Sequence, residues 1–399
     1  MSDAILVINA GSSSIKFKLY ALGAGEALDT VFSGVLDGIG GDARLKAKDG
    51  DGRPLDERSL DKGAAADSGA AQKIVMDWLE DRLGGHEMIG VGHRVVHGGP
   101  TFTHPVVVDG EVMKTLESFI PLAPLHQLGN LDPIRLLMKE HPGLPQVACF
   151  DTAFHRDHPE LSDRFALPRA LYDEGVRRYG FHGLSYEYVG GALRRLAPEI
   201  ADRRVVIAHL GSGASLCALQ GGRSIETTMS FTALDGIPMG TRSGAVDPGV
   251  ILHLIEQKGM TAHDIGTMLY RESGLLGLSG ISNDVRTLLE SDDPRAAMAL
   301  DFFSRRVAQA VASLAVSIGG LDALVFTAGI GENAPDIRRR VVEALAFAGL
   351  ALDAEANARS DLHVETKGSP VAILVVPTDE ERMIARHTRA LLLAAGEGG

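Results

Sequence analysis

The chain has 399 residues, of which 45% are hydrophobic and 23% charged, and its formal net charge is −13 at pH 7. This length and composition predict two α/β domains and exclude a disordered or fibrous protein. The negative charge argues against nucleic acid as a partner, so any phosphate chemistry must depend on local arginines and lysines. Cys149 and Cys217 lack zinc-knuckle or disulfide spacing. Without a charged leader or a long apolar run, we expect a cytoplasmic protein that does not enter a membrane.

The first element is an apolar strand, residues 5–8, that enters a turn of small residues at positions 9–14. Glycine lets a ligand approach the backbone closely, and Ser12 and Ser14 can add hydroxyls to the N–H groups that bind an anion. The next strand begins with alternating apolar residues, so Lys16 should project from the opposite face toward the same anion. This turn is interpreted as one phosphate-binding element.

Four elements follow before the middle of the chain. Residues 21–72 are predicted to form hairpins and loops over one face, Lys73 to Leu83 a helix, Met88 to Val96 a strand, and Asn130 to His141 a helix. Arg94 lies near a strand end, before a Gly-Gly turn, where packing explains it poorly. A planar guanidinium in that position suits carboxylate or phosphate oxygens.

A short buried strand from Gln146 to Phe150 ends at Asp151. A carboxylate at the carboxyl end of such a strand faces the crevice where α/β proteins bind ligands. Further along, His182 stands between Phe181 and Gly183. A histidine next to glycine is seldom a core residue. His182 is predicted to donate a hydrogen bond to a phosphoryl group that is transferred at the site.

The amino-terminal pattern returns 200 residues later. An apolar strand from Val205 to Leu210 enters the turn Gly211-Ser212-Gly213, and a second strand leaves it. Two such turns predict a duplicated α/β unit that holds a polyphosphate in a cleft between the halves. Arg242, also beside glycines, would complete an anion clamp with the arginine of the first half.

The last third begins with a long Ala-rich helix from Ala296 to Ile318, followed by a strand at residues 324–326. The next turn, Gly329-x-Gly331-x-x-Ala334, resembles a dinucleotide fingerprint, which leaves an NAD-dependent oxidoreductase as an alternative. Only about 70 residues follow, too few for the rest of such a domain, so the turn is interpreted as a path for adenosine. A final strand and a helix from Asp379 to Ala395 close the chain. Glu380 and Glu381 open that helix and are candidate Mg²⁺ ligands with Asp151.

Eight segments together resemble the acetate kinase family, and the resemblance covers nearly the whole chain. They lie at residues 7–16, 92–99, 122–126, 150–155, 178–183, 239–244, 326–333 and 377–381. The family belongs to the superfamily of sugar kinases, actin and heat-shock chaperone ATPases. It implies two ribonuclease-H-like (actin-like ATPase) domains, a homodimer, and reversible phosphoryl transfer from ATP to acetate with Mg²⁺, for which Mn²⁺ can substitute. We expect the domains at residues 1–150, completed by helix 380–399, and at residues 151–379.

The resemblance also implies a role for each matching residue. The catalytic group consists of Arg94 for the carboxylate substrate, Asp151 as the active-site acid, and His182 and Arg242 as transition-state stabilisers. Asn9 and Glu380 are assigned to magnesium. A small apolar pocket for the methyl group is assigned to Val96, Leu125, Phe181 and Pro238. The residues expected to bind the nucleotide are Ser12, Ser14, Lys16, His209, Leu210, Gly211, Ser212, Gly213, Asp284, Val285, Arg286, Gly329, Ile330, Gly331, Glu332 and Asn333.

The chain departs from the family pattern at a few positions. Ser212 stands where asparagine is usual, Leu184 and Tyr186 where threonine and histidine are usual, and Ala245 where aspartate is usual. None of these changes removes a charged group that would handle the phosphoryl group. A propionate kinase and a non-catalytic nucleotide switch of the actin or chaperone type remain alternatives, and so does a mechanism through a phospho-enzyme on Glu380 or Asp151.

Overall fold

The computed structural model describes residues 2–11, 13–124 and 126–396, and the chain divides into two compact units. Unit 1 comprises residues 1–153 and 379–399, and unit 2 comprises residues 154–378. None of the helices in these described ranges combines the length and apolar character needed to cross a membrane. The predicted Ser12 and Leu125 contacts lie outside the described residues.

Unit 1 contains a sheet of eight strands with helices packed on it. The strands are β1 (Asp3–Ala10), β2 (Ser14–Leu22), β3 (Leu28–Asp37), β4 (Arg44–Asp49), β5 (Pro54–Ser59), β6 (Glu87–Val95), β7 (Val106–Val107) and β8 (Gln146–Phe150). The helices are α1 (Ser68–Glu80), α2 (Gly110–Ser118), α3 (Gln127–Glu140) and, from the end of the chain, α16 (Glu380–Gly396).

Unit 2 contains a second sheet within the part of the chain that the structure describes. Its strands are β9 (Arg204–Leu210), β10 (Ala214–Gln220), β11 (Arg223–Thr227), β12 (Ala323–Thr327) and β13 (Ala372–Val375). Its helices are α4 (Glu160–Asp163), α5 (Arg169–Asp173), α6 (Gly183–Leu196), α7 (Pro198–Ala201), α8 (Pro248–Glu256), α9 (Ala262–Arg271), α10 (Gly274–Ser279), α11 (Val285–Leu289), α12 (Pro294–Ser317), α13 (Ala328–Asn333), α14 (Pro335–Ala344) and α15 (Ala354–Arg359).

The two sheets share one topology, which confirms the predicted duplicated α/β fold. In unit 1, β3, β2 and β1 are antiparallel neighbours, and β6 and β8 continue the sheet in parallel with β1. In unit 2, β11, β10 and β9 are antiparallel, and β12 and β13 run parallel to β9. Each Gly/Ser turn therefore connects the first two strands of its sheet. Parallel strands that are covered on both faces have continuous apolar sequences, and β1 and β12 show this pattern.

The prediction for residues 21–72 was wrong in one respect. They do not lie over a face of a sheet, because β3, β4 and β5 extend the sheet of unit 1 at its edge. On the other side of β1, α16 packs closely on β6. A Cβ at Gly92 would lie 2.3 Å from Thr388 Oγ1 and 2.6 Å from Ile384 Cγ2. The absence of a side chain at Gly92 therefore lets α16 approach the sheet.

His93, in β6, makes the stability of unit 1 sensitive to acid. Burial lowers its pKa to about 4, and the hydrogen bond from Nε2 to Gln146 Oε1 (2.9 Å) offsets this only in part. In the unfolded chain, the His93 imidazole therefore takes up a proton as the pH falls below about 6.5. In the folded chain, it does so only near pH 4. The contribution of His93 to the free energy of unfolding should be complete above pH 6.5. It should fall on acidification by up to about 1.4 kcal/mol per pH unit.

We expect His93→Gln to flatten this acid dependence. Urea unfolding at pH 7 and pH 5 measures it, as the difference in unfolding free energy between the two conditions. His104→Gln, at an exposed position, is the control and should keep the wild-type difference. An unchanged difference in His93→Gln would assign the acid sensitivity to another group, of which His158 is the first candidate, because burial lowers its pKa to about 2.

Candidate active site

Unit 1 brings four predicted polar side chains together at one edge of its sheet. Asn9 lies near the end of β1, Arg94 near the end of β6, Asp151 directly after β8, and Glu380 at the start of α16. Because β1, β6 and β8 are parallel, their carboxyl ends meet at this edge. This edge is where open α/β sheets bind their ligands.

The Arg94 guanidinium is held by a bidentate ion pair. Its Nε donates to Asp151 Oδ1 at 2.9 Å and its Nη2 to Asp151 Oδ2 at 2.6 Å, while Nη1 lies 3.5 Å from Asn9 Oδ1. Burial alone would lower the pKa of Arg94, but the charges of Asp151 and Glu380 outweigh it and raise the pKa. The side chain is therefore cationic and fixed in direction, because Asp151 is 2% exposed and Arg94 only partly exposed.

Of the two carboxylates in this group, Glu380 is the one that Arg94 neutralises less. Its Oε2 lies 4.0 Å from Arg94 Nε. The pKa of Glu380 is raised to about 7, first by burial and then by the charges of Asp151 and Glu381, although Arg94 and Lys16 oppose the shift. A divalent cation beside this carboxylate would offset its desolvation. The oxygens of Asn9 and Glu380 fit Mg²⁺, which binds hard oxygen ligands and takes the rest from phosphate and water.

Unit 2 places His182 and Arg242 around the second glycine turn. A Cβ on Gly213 would lie 3.3 Å from His182 Nε2 and 3.8 Å from Arg242 Nη1. Arg242 Nη1 donates to the Ala233 carbonyl at 3.0 Å, and Gly240 N–H donates to the Ser212 carbonyl at 3.4 Å. The structure thus brings two predicted cationic or donor groups to the predicted phosphate turn within one unit.

His182 and His209 form a stacked pair of imidazoles. Their ring centroids are 4.2 Å apart and their planes 17° apart. His182 has left-handed backbone (φ 59°) immediately before α6. A non-glycine residue costs energy in this conformation, and such strain is concentrated at functional sites. His209 was expected only as part of the nucleotide lining, whereas the structure gives it a direct contact with a predicted catalytic residue.

A cavity of about 440 Å³ in unit 2 gathers the predicted nucleotide-binding segments. This volume is in the range of small-molecule sites. Two of its lining residues, Asn283 and Ala334, were not among the predicted nucleotide residues. Asn283 is uncharged and lies in no motif, and Ala334 was noted only as the last position of the dinucleotide-like fingerprint. The predicted residues that line it are Gly211, Ser212, Asp284, Val285, Arg286, Gly329, Ile330 and Asn333.

Other predicted nucleotide residues do not line this cavity. Leu210 and Gly331 are buried in β9 and α13, and Lys16 and Ser14 belong to β2 of unit 1, where Ser14 accepts a hydrogen bond from Gly11 N–H at 2.8 Å. The segment from Gly329 was interpreted as an open turn, but it forms the short helix α13. The backbone changes direction between β12 and α13 at Ala328, the first residue of the helix, which has a positive φ of 65°.

Glu332 binds backbone N–H groups of its own unit. Its Oε1 accepts from Ala328 N–H at 2.8 Å and from Thr378 N–H at 3.1 Å. Each lost bond to a charged acceptor costs about 1.5–3 kcal/mol. We therefore expect Glu332→Ala to lower the free energy of unfolding clearly, and Glu332→Gln, which keeps an oxygen there, to lower it less.

Urea denaturation measures this difference. Glu343→Ala is the matched control, since it removes an exposed carboxylate paired with Arg339 and should change stability by less than about 0.5 kcal/mol. Equal effects of Glu332→Ala and Glu343→Ala would contradict the structural role of Glu332.

The predicted methyl pocket is divided between the units. Val96 follows Arg94 in unit 1, is 7% exposed, and donates its N–H to Asn130 Oδ1 at 2.9 Å. Phe181 and Pro238 are buried in unit 2. Pro238 lines a second cavity of about 350 Å³ with Arg178 and Arg306, not the cavity beside Gly211.

Comparison with known proteins gives one consistent family. Residues 4–386 match the acetokinase family. An acetate kinase of Nitrobacter hamburgensis is 54% identical over 98% of this chain and 96% of its own length. Among solved structures, a propionate kinase of Francisella tularensis superposes with a TM-score of 0.89 at 36% identity, covering 97% of this chain and 99% of its own. The acetate kinase of Porphyromonas gingivalis gives a TM-score of 0.86 at 36% identity over 98% and 100% of the two chains.

Proposed function

Because the chain belongs to the acetokinase family, we propose that its catalytic step is a direct, in-line transfer of the ATP γ-phosphoryl group with Mg²⁺. The activity itself is phosphorylation of acetate by ATP, as in acetate kinases that are 52–54% identical over nearly the whole chain. The observation that supports the proposed step is the arrangement of His182 and Arg242 around Gly213. ATP and acetate are the substrates, and ADP and acetyl phosphate the products.

The acceptor needs no general base. Acetate is ionised near neutral pH, as carboxylic acids of this kind are. Asp151 is therefore assigned to hold Arg94, whose Nε and Nη2 donate to it, and not to remove a proton. Arg94 supplies the fixed positive charge that suits a carboxylate substrate.

His182 and Arg242 are assigned to the charge that develops on the transferred group. Phosphoryl transfer passes through a loose transition state with negative charge on the equatorial oxygens, so catalysis depends on position and electrostatics. The Gly213 backbone leaves room for these oxygens beside His182 Nε2 and Arg242 Nη1. Asn9 and Glu380 are assigned to Mg²⁺, which when bound neutralises phosphate oxygens.

A coupled assay with acetate, propionate and butyrate tests the function. We expect ADP formation that depends on acetate and falls as the acid lengthens. Slow ATP hydrolysis that no acid stimulates would instead identify a nucleotide switch. Faster turnover with propionate would favour propionate kinase, the second candidate, for which the solved Francisella tularensis enzyme gives the structural precedent. Inversion at a chiral phosphorus supports direct transfer, and retention would show a phospho-enzyme.

The proposal includes a homodimer formed through α8. None of the residues of this helix is buried, and Val250, Leu252 and Ile255 are 45%, 56% and 44% exposed. A second copy of the chain would cover this apolar surface. We expect Leu252→Glu to convert a dimer to a monomer in sedimentation equilibrium. Leu161→Glu, at a position 92% exposed on α4, is the control and should leave the dimer intact.

A further inference from the structure

The stacked histidines of unit 2 are held by two buried serines. His182 Nδ1 lies 2.8 Å from Ser215 Oγ, and His209 Nδ1 lies 2.8 Å from Ser185 Oγ. Both serines are fully buried. The same nitrogen of each ring is therefore engaged on the side away from the glycine turn.

Each serine contacts a second hydroxyl. Ser215 Oγ lies 2.5 Å from the hydroxyl of Tyr186, and Ser185 Oγ lies 2.9 Å from Thr378 Oγ1. Local structure explains the grouping. Ser185 and Tyr186 lie in the first turn of α6, directly after His182, and Ser215 is the cross-strand partner of His209 in the β9–β10 hairpin.

The other nitrogen of each ring faces the glycine turn. His182 Nε2 lies 3.3 Å from the Cβ position of Gly213, and His209 Nε2 lies 3.8 Å from that of Gly211. Electrostatic repulsion favours neutral rings here, because two imidazolium rings stacked at 4.2 Å would repel each other. The positive charge of Arg242, which lies beside Gly213 with His182, acts in the same direction.

We propose that Tyr186 and Ser215 are positioning residues that set the tautomer of His182. The Tyr186 hydroxyl donates to Ser215 Oγ, and the Ser215 hydroxyl donates to His182 Nδ1, so the ring carries its proton on Nε2. Ser185 and Thr378 do the same for His209. Two Nε2–H donors then face the Gly211–Gly213 turn and bind phosphoryl oxygens. This last step rests on the proposed function, whereas the tautomer assignment does not.

The hydroxyl chain matters because a neutral imidazole has one donor and one acceptor. A hydroxyl that donates to Nδ1 stabilises the form with the proton on Nε2. In the opposite arrangement, His182 Nδ1–H would donate to Ser215 and Ser215 would donate to Tyr186. His182 Nε2 would then present a lone pair to an anionic group. Tyr186 stands where the family resemblance expects histidine, so this particular chain of hydroxyls is a feature of this sequence.

Nitrogen-15 NMR of the histidine-labelled, full-length protein without nucleotide tests the tautomers. We expect the wild type to show His182 and His209 with a protonated Nε2. Ser215→Ala should give a mixture of tautomers at His182 and leave His209 unchanged. Wild-type spectra with the His182 proton on Nδ1 would overturn the proposal, and so would a Ser215→Ala spectrum identical to that of the wild type.

Turnover gives the second readout. Ser215→Ala should lower kcat about tenfold with KM for ATP within about twofold, and Tyr186→Phe should give a smaller loss that Tyr186→His restores. Ser304→Ala is the matched control, because Ser304 is a buried serine of unit 2 that lies in α12. Equal losses of kcat in Ser215→Ala and Ser304→Ala would overturn the positioning role. Expected tautomers in a protein without acetate-dependent turnover would contradict the proposed function alone.

Discussion

Arg242→Ala is expected to lower kcat for acetyl phosphate formation by about 10³-fold or more, while ATP affinity changes by only a few-fold. Arg242 Nη1 lies beside Gly213 together with His182 Nε2, so under the proposed function its charge acts on the transferred group and not on the nucleoside. The cavity proposed for the nucleotide is lined by other residues, including Asp284 and Ile330, that the substitution leaves in place.

Stopped-flow or steady-state kinetics and a fluorescent ATP titration measure the two quantities separately. Arg295→Ala is the control, since Arg295 is an exposed arginine of unit 2 that pairs with Asp293, and it should retain wild-type turnover. A loss of ATP binding as large as the loss of turnover would make Arg242 a structural residue, because Nη1 also holds the Ala233 carbonyl.

Asp151→Asn is expected to lower kcat/KM for acetate by about 10²-fold or more, since small misplacements of a positioning group cost this much. The amide keeps the size of the side chain but loses one of the two oxygens that hold Arg94. Arg94 would then turn toward Glu380, whose Oε2 already lies 4.0 Å away. KM for ATP should change far less.

The chain offers a matched pair for this test. Arg204 and Asp322 form the same fork in unit 2, with Nε to Oδ2 at 2.9 Å and Nη2 to Oδ1 at 2.7 Å. Asp322→Asn should therefore leave kcat/KM for acetate unchanged. Circular dichroism melting of both variants separates loss of fold from loss of activity, because breaking a buried pair also lowers stability. Similar activity losses in both variants would contradict the assigned role of Asp151.

Motifs tied to strand ends were predictable, because local pattern and position carry them. The turn at Gly211 was found from its glycines, and the alternation of apolar residues identified the strands on either side. Arg94 and Asp151 were each suspected from their place at a strand end. Their bidentate contact was not predictable, since residues 57 apart in the chain meet only when β6 and β8 pair.

The serine contacts of the stacked histidines could not be predicted from the local sequence. Ser215 lies in a strand whose other residues are apolar and buried up to the exposed Gln220 at its end, and this was the available signal. Its importance became visible only through His182 and Tyr186, which approach from α6. A hydroxyl in isolation has many possible partners, and burial is what restricts it to these two.

The sequence by itself determined the class of fold, the family and the chemical types available for the reaction, because these depend on periodicity and on residues close together in the chain. Only the tertiary structure decided which polar groups meet. Hydrogen bonds and ion pairs act over about 3 Å, so partners from distant segments are selected by strand pairing and helix packing. For this reason the local sequence around Glu332 did not reveal that the packing of β12 and α13 directs its carboxylate to the backbone N–H groups of Ala328 and Thr378.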